Sequence, residues 1–156
     1  RLVAACDDPA CIDLTGYTLC YRGAMSTSFT RLSTTMAGKS IAPGKHFLLT
    51  TPSYSGPVPG DATYSATLKD EGGSLWLARK ASCPVGLADA DLVDIVGWGN
   101  ASPNNYLGSA APAVGTNGIA ASGRSIARRV TGVTTGNNGA DFEVRTVRDP
   151  QNSSSR

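Results

Sequence analysis

The sequence contains few of the residues from which catalytic and metal sites are usually built. It has one histidine, His46, and it contains neither a CxxC pair nor a GxSxG nucleophile motif. Zinc sites need Cys and His ligands at short spacings, and a nucleophile elbow needs glycines around its serine. We therefore expect no catalytic residue, no metal and no cofactor, and a surface or packing role for His46.

Long apolar runs, abundant charge and helical patterns are also missing. No run reaches about 18 apolar residues, the length from which a membrane-spanning helix is inferred. Only 17% of the residues are charged, so Ser, Thr, Gly and Asn must supply much of the surface polarity. Ser, Thr and Asn compete with the helical backbone for hydrogen bonds, which favours strands and turns. At 156 residues the chain is long enough to form one domain with its own core.

Apolar and polar residues alternate wherever the sequence shows a period. Leu19 and Tyr21 fall on one face of a predicted strand and Cys20 on the other, and Leu75 and Leu77 are expected to point inward. Segments rich in Gly, Pro and Asn separate such runs. Short alternating strands between turns indicate an all-β protein, an antiparallel sandwich or barrel.

The four cysteines, an even number, indicate disulfide bonds. Cys6, Cys11, Cys20 and Cys83 lack the spacing of a zinc site. Of the three connectivities we favour Cys6–Cys11, which would close a short turn, with Cys20–Cys83, which would join a strand to a distant hairpin. Disulfides are typical of exported proteins, and a reduced cytosolic protein is the alternative. The chain opens with Arg1 and shows no signal peptide, so we expect a mature or trimmed form.

The stretch "TTGNNGADF", residues 134–142, concentrates turn-forming residues immediately before the alternating run "FEVRTV". One interpretation is a loop that leads into a strand and sets Phe142 into the core. The other is an oxygen-rich loop that holds a cation. A second calcium candidate is "ADADLVD", which contains Asp89, Asp91 and Asp94.

Two further motifs have ordinary explanations. "AGKS" at residues 37–40 resembles the end of a phosphate-binding loop, but the first glycine of that motif is missing and Pro43 follows closely. Because no helix can start there, we expect a turn. Asn100 and Asn152 each begin a glycosylation sequon, which matters only in a host that glycosylates.

Arginine is concentrated in the last third of the chain. The net charge of +2 is too small to indicate nucleic acid by itself. A solvated sheet face explains the arginines as readily as a binding patch, and alternation places the neighbours Arg128 and Arg129 on opposite faces. The candidates for anion or nucleic-acid contact are Arg124, Arg128, Arg129, Arg145 and Arg148.

Six strand motifs follow one another in an order that resembles the lamin-tail domain, in particular its secreted bacterial form. In that family an "I-P-G" turn leads into an apolar strand, and a closing "N-A-D-F" precedes the final strand. The match extends from about Ile12 to Ser154, and it rests on the order of motifs that are weak one by one. The motifs are "IDLTGYTLCYR", "SIAPGKHFLLT", "GGSLWLAR", "DLVDIVGWG", "GRSIARR" and "NNGADFEVRTVRDPQNSS".

This resemblance implies an immunoglobulin-like antiparallel β-sandwich. We assign it to residues 1–149, followed by a C-terminal tail or linker stub at residues 150–156. The sequence departs from the family in two places. Its start, "RLVAACDDPAC", lacks the glutamate of the usual first strand, so an open sheet edge is expected. The hairpin "RKASCPVGLADAD" is longer than usual and carries Cys83.

The family usually provides non-catalytic modules. We therefore expect a secreted or cell-surface module without a membrane span, which engages a protein partner or self-associates through strand-edge or loop contacts. The alternative is a substrate-tethering module, with nucleic acid as a plausible substrate, that accompanies an exported nuclease or phosphatase.

Overall fold

The chain is nearly all β-structure in its computed structural model, which describes residues 10–32, 36–115, 123–130 and 132–155. Strands make up 30% of this part and helices 5%, so the expectation of an all-β protein with antiparallel sheets is confirmed. The elements are β1 (Ile12–Asp13), β2 (Thr18–Gly23), β3 (Thr30–Arg31), β4 (Ser40–Ile41), β5 (Leu49–Thr50), β6 (Ala62–Thr63), β7 (Gly72–Ala78), β8 (Leu92–Gly99), β9 (Ser125–Arg128), α1 (Asn138–Asp141) and β10 (Phe142–Arg145), with a 3-10 turn at Pro103–Asn105.

The centre of the fold is a four-stranded antiparallel sheet in the order β3-β2-β7-β8. Strand β7 pairs with β2 on one side and with β8 on the other, so its backbone is hydrogen-bonded along both edges. Successive side chains of a strand point to opposite faces. The register therefore places Tyr21, Leu75 and Val96 side by side on one face of the sheet.

The antiparallel β9–β10 hairpin covers this first face. Its Phe142 is buried in one core cluster with Tyr21 and Trp98, and Ile126 packs against that cluster. The Tyr21 and Trp98 rings stack with centroids 6.2 Å apart. The two layers form a sandwich. Among the strands of the described residues, only β5 and β6 pair in parallel. The immunoglobulin-like arrangement stays a prediction.

The opposite face of the central sheet is buried as well. Cys20 and Trp76 have no exposed surface, and Phe29 meets the Trp76 ring edge-on with centroids 5.2 Å apart. The expectation that Leu75 and Leu77 are the inward residues is therefore incomplete, since both are half-buried and the Trp76 between them is fully enclosed. Alternation identified the strand, but not that loops cover its second face.

The Cys20–Cys83 disulfide, one of the two predicted pairs, is confirmed, with Cα atoms 5.8 Å apart. Cys83 lies in the long β7–β8 connection, and the bond holds this connection against the Trp76 cluster. The other predicted pair includes Cys6, which lies outside the described residues. Its predicted partner Cys11 is disulfide-bonded, and no cysteine in the described ranges is free.

The chain itself closes the edge of the sheet at β8. The Gly97 N–H donates to Asn138 Oδ1 (2.9 Å), and Asn138 Nδ2 donates to Ile95 O (3.0 Å). Ala111 forms a parallel bridge beside the strand, where its N–H donates to Gly97 O (2.7 Å) and its carbonyl accepts from the Gly99 N–H (2.8 Å). An open edge, which the atypical N-terminus led us to expect, is therefore not found along this part of β8.

Residues 152–155 pack on the sandwich, although a frayed tail was expected for residues 150–156. Asn152 is only 6% exposed, and its Nδ2 donates to Pro59 O (3.0 Å). The Ser153 N–H donates to Asp61 Oδ2 (3.0 Å), and its hydroxyl also binds that carboxylate. The expectation considered only apolar burial, whereas polar side chains attach this segment through hydrogen bonds. The Asn152 sequon is therefore engaged in the fold.

The disulfide should contribute strongly to stability. It joins residues 63 positions apart, and the loss of loop entropy in the unfolded chain is worth about 4 kcal/mol for a loop of this length. We expect the double variant Cys20→Ala/Cys83→Ala to lose about that much free energy of unfolding in urea titrations. Val85→Ala, an exposed change in the same connection, is the control and should change stability by less than about 0.5 kcal/mol. An equal loss for both proteins would contradict the assignment.

Candidate functional site

The segment at residues 134–142 connects the β9–β10 hairpin to the central sheet through buried hydrogen bonds. Asn138 is 2% exposed. Its Oδ1 accepts from the N–H groups of Gly97 (2.9 Å) and Leu107 (3.3 Å), and its Nδ2 donates to Ile95 O (3.0 Å). Its own N–H donates to Leu107 O (2.8 Å). One amide side chain thus joins β8, α1 and the chain near Leu107, and we call residues 134–142 the hub.

Asn137 caps α1 and fixes the neighbouring loop. Its Oδ1 accepts from the N–H groups of Gly139 (3.0 Å) and Ala140 (3.3 Å) in the first turn of the helix, as an N-cap side chain does. The same oxygen accepts from the Ser109 hydroxyl (2.7 Å). Gly108 has φ +66°, and a Cβ there would lie 2.7 Å from Asn137 Cγ. Glycine is therefore required where this loop meets the hub.

Asp141 is surrounded by donors. Its carboxylate accepts from the Thr135 hydroxyl (2.7 Å) and N–H (3.1 Å) and from the Thr134 hydroxyl (3.3 Å), and the Arg128 guanidinium lies 3.8 Å away. These contacts, the Thr135 hydroxyl first, hold the pKa of Asp141 below its ordinary value of 3.8. The neighbouring Phe142 is buried in the core. The contacts support the architectural interpretation of the hub, because its carboxylate is engaged by donors of the same chain.

The side chain of Arg128 belongs to this network, whereas that of Arg129 does not. The Arg128 guanidinium lies 4.4 Å from the Phe142 ring centroid and donates to Asp94 Oδ2 at 2.7 Å. Arg129 reaches the other side of the hairpin, where its Nη1 lies 3.2 Å from Glu143 Oε2. The two neighbouring arginines therefore contact different parts of the protein, as alternation predicts.

The remaining candidate arginines are exposed. Arg145 Nε donates to Glu143 Oε1 (3.3 Å), and Arg148 Nε donates to Arg124 O (3.2 Å). Within the described ranges no ion pair involves Arg124 or Arg148. The five candidates thus divide into one arginine whose side chain enters the Asp141 network and four at the surface.

Two of the three acidic residues considered as a calcium loop, Asp89 and Asp94, use their carboxylates for other contacts. The Asp89 carboxylate is bonded to Lys80 Nζ and accepts from the N–H groups of Val85 (2.8 Å) and Asp91 (3.0 Å). The Lys80 hydrogen bond is the largest cause that lowers the pKa of Asp89 to about 2. Asp94 pairs with Arg128. Among the residues that the structure describes, no group of three or more His, Cys, Asp and Glu is arranged to hold a metal ion.

The remaining motifs lie at the surface. His46 is exposed and lies in the segment before β5. "AGKS" forms the expected turn, in which the Lys39 N–H donates to Met36 O (3.1 Å) and Gly38 has φ +71°. Asn100, which begins the other sequon, is exposed directly after β8.

Sequence reasoning missed a group of exposed aliphatic side chains at one end of the fold. This is the end at which β7 stops and β8 begins, and Val85 there is 87% exposed. The unusual length of the β7–β8 connection was visible in the sequence, but alternation says nothing about the exposure of loop residues. We call this group the apolar end: Val85, Leu87, Val93, Val130 and Val133.

Arg128 holds the β9–β10 connection, which carries Val130 and Val133, at this end. Arg128 donates both to Asp94 Oδ2 near the start of β8 and to Val133 O (2.9 Å) in the β9–β10 connection. The Lys80–Asp89 contact fixes the other loop internally. Both loops that carry the apolar end are therefore held by charged side chains and are not independent of the sandwich.

No family model, curated protein or solved structure matches the chain. In the described residues no helix is long and apolar enough to cross a membrane.

Replacing the central amide should destabilise the whole fold. Asn138→Ala leaves the N–H groups of Gly97 and Leu107 and the Ile95 carbonyl without their partner. A buried group left unsatisfied costs about 1–3 kcal/mol, so we expect a loss of at least about 3 kcal/mol in urea unfolding. Asn104→Ala is the matched control, since Asn104 is exposed in the adjacent 3-10 turn. A loss below about 1 kcal/mol for Asn138→Ala would refute the role given to this amide.

Stability should fall in acid. The pKa of Asp89 is about 2 and that of Asp141 is also lowered in the folded protein, so the unfolded chain takes up protons first. The stabilisation is therefore fully present above about pH 4 and is lost as the pH falls towards 2. We expect the Tm of Asp89→Asn to change less than that of the wild type between pH 4 and 2. Lys80→Gln should also flatten the curve, and parallel curves for all three proteins would contradict this account.

Proposed function

We propose that the protein is a non-catalytic extracellular binding or assembly module that self-associates through its apolar end. The observation that carries the proposal is a set of five exposed aliphatic side chains at the end of the sheet where β8 begins, four on two loops that are fixed to the sandwich and Val93 on β8 itself. Exposed apolar surface on a folded domain commonly marks a protein contact. Loops held rigidly lose little conformational entropy on binding, which favours such a contact.

The anchoring of the loops supports this function. The β7–β8 connection is attached by the Cys20–Cys83 disulfide to β2, the strand next to β7. The β9–β10 connection is attached to β8 by Arg128 and through the buried Asn138. A rigid sandwich that presents loops is a common design of binding domains.

An extracellular location is the part of the proposal that rests on redox chemistry. A disulfide is typical of oxidising compartments, and the described cysteines contain no free thiol. The order of strand motifs that resembles secreted lamin-tail domains supports the same setting. We propose the lamin-tail family and the non-catalytic role together with this location.

Loop contacts are favoured over strand addition at β8. Ala111 and Asn138 bind outward backbone groups of Ile95, Gly97 and Gly99 on that strand. The opposite edge strand, β3, contains only two residues and offers a short template for a partner strand. The apolar end is therefore the better contact surface for a second copy.

The nucleic-acid alternative is weaker in this arrangement. Arg128, Arg129 and Arg145 lie against Asp94, Asp141 or Glu143, which reduces the positive charge they can offer to phosphates. If the protein bound nucleic acid through these arginines, its affinity would fall steeply as the salt concentration rises, because each phosphate contact releases counterions.

Sedimentation velocity at increasing protein concentration tests the proposal. We expect concentration-dependent oligomers that persist at high salt, because apolar contacts are not screened. The double variant Val85→Asp/Leu87→Asp should shift the protein to monomer, since it places charge in the contact. Met25→Asp is the control, because Met25 is 80% exposed at the opposite end of the sheet and should leave the oligomers unchanged.

Two results would contradict the proposed function. One is a protein that stays monomeric at every concentration. The other is tight binding to duplex or single-stranded DNA that collapses between low and high salt, which would establish the tethering alternative instead.

A further inference from the structure

Two adjoining depressions lie along the β9–β10 hairpin. They have volumes of about 310 Å³ and 460 Å³ and share Ala127, Arg145 and Asp149 in their linings. Volumes of a few hundred Å³ are typical of ligand sites. Tyr54 lines only the first depression and His46 only the second, so together they form one trough with different ends.

The first depression has apolar walls. Ile126, Val147 and Pro150 line it together with the ring of Tyr54. Gly56 allows the Tyr54 ring to lie where it does, because a Cβ on Gly56 would overlap the phenol end of that ring. This part of the trough fits an aliphatic or aromatic side chain.

Two guanidinium groups at this depression are oriented in advance. Arg145 uses its Nε on Glu143 (3.3 Å), and Arg148 uses its Nε on the Arg124 carbonyl (3.2 Å). In the described part of the protein the terminal nitrogens of both arginines have no hydrogen-bond partner. A guanidinium fixed through Nε presents its two terminal N–H groups as a fork that matches a carboxylate. Both side chains line the apolar depression, so a carboxylate would bind beside an apolar group.

The second depression is polar. His46 and Gln151 add hydrogen-bonding groups beside Arg145, and the side chain of Arg128 is also present. Arg128 lies against two carboxylates, those of Asp94 and Asp141. Arg145 shares the single carboxylate of Glu143 with Arg129, so part of its charge stays available, and within the described residues Arg148 forms no ion pair. Asp149 lines both depressions and should repel an anion.

We propose that this trough binds an extended acidic peptide segment, with an apolar side chain in the first depression and an adjacent carboxylate on Arg145 and Arg148. The inference goes beyond self-association through the apolar end, since it assigns a ligand class to a different set of side chains. A peptide fits better than a single-stranded nucleic acid, which is usually held by several stacked aromatic rings. In the linings described, Tyr54 is the only aromatic residue besides His46.

Fluorescence anisotropy with short labelled peptides tests the proposal. The probe is a capped pentapeptide with leucine between two glutamates, and the matched peptides carry glutamine for glutamate or glycine for leucine. A third peptide ends in leucine with a free C-terminal carboxylate. We expect the acidic probe to bind and both matched peptides to bind at least about tenfold more weakly, since each lacks one charged or one apolar contact. If the third peptide binds, the carboxylate can come from a chain terminus. If only the capped probe binds, the carboxylate must come from an acidic side chain.

Variants locate the site. Arg145→Gln and Arg148→Gln should each weaken binding about tenfold, and Gly56→Ala should weaken it by displacing the Tyr54 ring. Asp149→Asn should strengthen it several-fold, because it removes the repelling charge. Arg31→Gln, an exposed arginine on β3, should have no effect. Amide chemical shifts of Ala127 and Val147 should move on titration, which locates the contact independently of affinity.

Several results would overturn the proposal. They are equal affinity for the acidic and glutamine peptides, equal weakening by Arg31→Gln and Arg148→Gln, or peptide-induced shifts only outside the trough. Binding of a single-stranded oligonucleotide through the same arginines, without peptide binding, would also overturn it. These experiments use protein concentrations at which Val85→Asp/Leu87→Asp and the wild type sediment alike. Self-association therefore does not affect the binding curves, and a lack of peptide binding can be told apart from a lack of self-association.

Discussion

The burial of one amide side chain determines how the two layers of the sandwich meet. Asn138 satisfies both an N–H and a carbonyl on the outward edge of β8, and it also binds the N–H of Leu107. A buried backbone group without a partner costs about as much as a lost hydrogen bond. The hub, the loop around Leu107 and the last strand of the central sheet must therefore keep one relative position.

This constraint separates the parts of the protein that are fixed from those that are available for contacts. Asn137, Asn138 and Asp141 engage groups of their own chain, and Asp89 does the same in the β7–β8 connection. The polar residues that looked most like ligands thus organise loops. What they leave at the surface is the apolar end and, along the hairpin, two arginines with free terminal nitrogens. These two features are the surfaces on which the proposed contacts with a second copy and with a peptide rest.

The sequence predicted those features that depend on local pattern. The strands, the turn at residues 37–40 and the opposite directions of Arg128 and Arg129 follow from alternation and turn chemistry. The even cysteine count indicated disulfides, and Cys20–Cys83 was the favoured long-range pair among three connectivities. The sequence did not predict the burial of Trp76 on the second face, the attachment of Asn152, or the apolar end. These depend on which loop reaches which strand across long separations, and a hydrogen bond between Asn138 and Gly97 has no signature in either stretch of sequence.

Native-state hydrogen exchange at Gly97 and Leu107 tests the central claim most directly, because both N–H groups donate to the same Asn138 oxygen. Gly97 lies on an edge strand and Leu107 in a loop, where amides ordinarily exchange by small local openings. If the buried amide joins the layers, both should exchange only through global unfolding, with opening free energies that match the stability measured in urea. Rapid exchange of either amide in an otherwise protected sandwich would contradict the account.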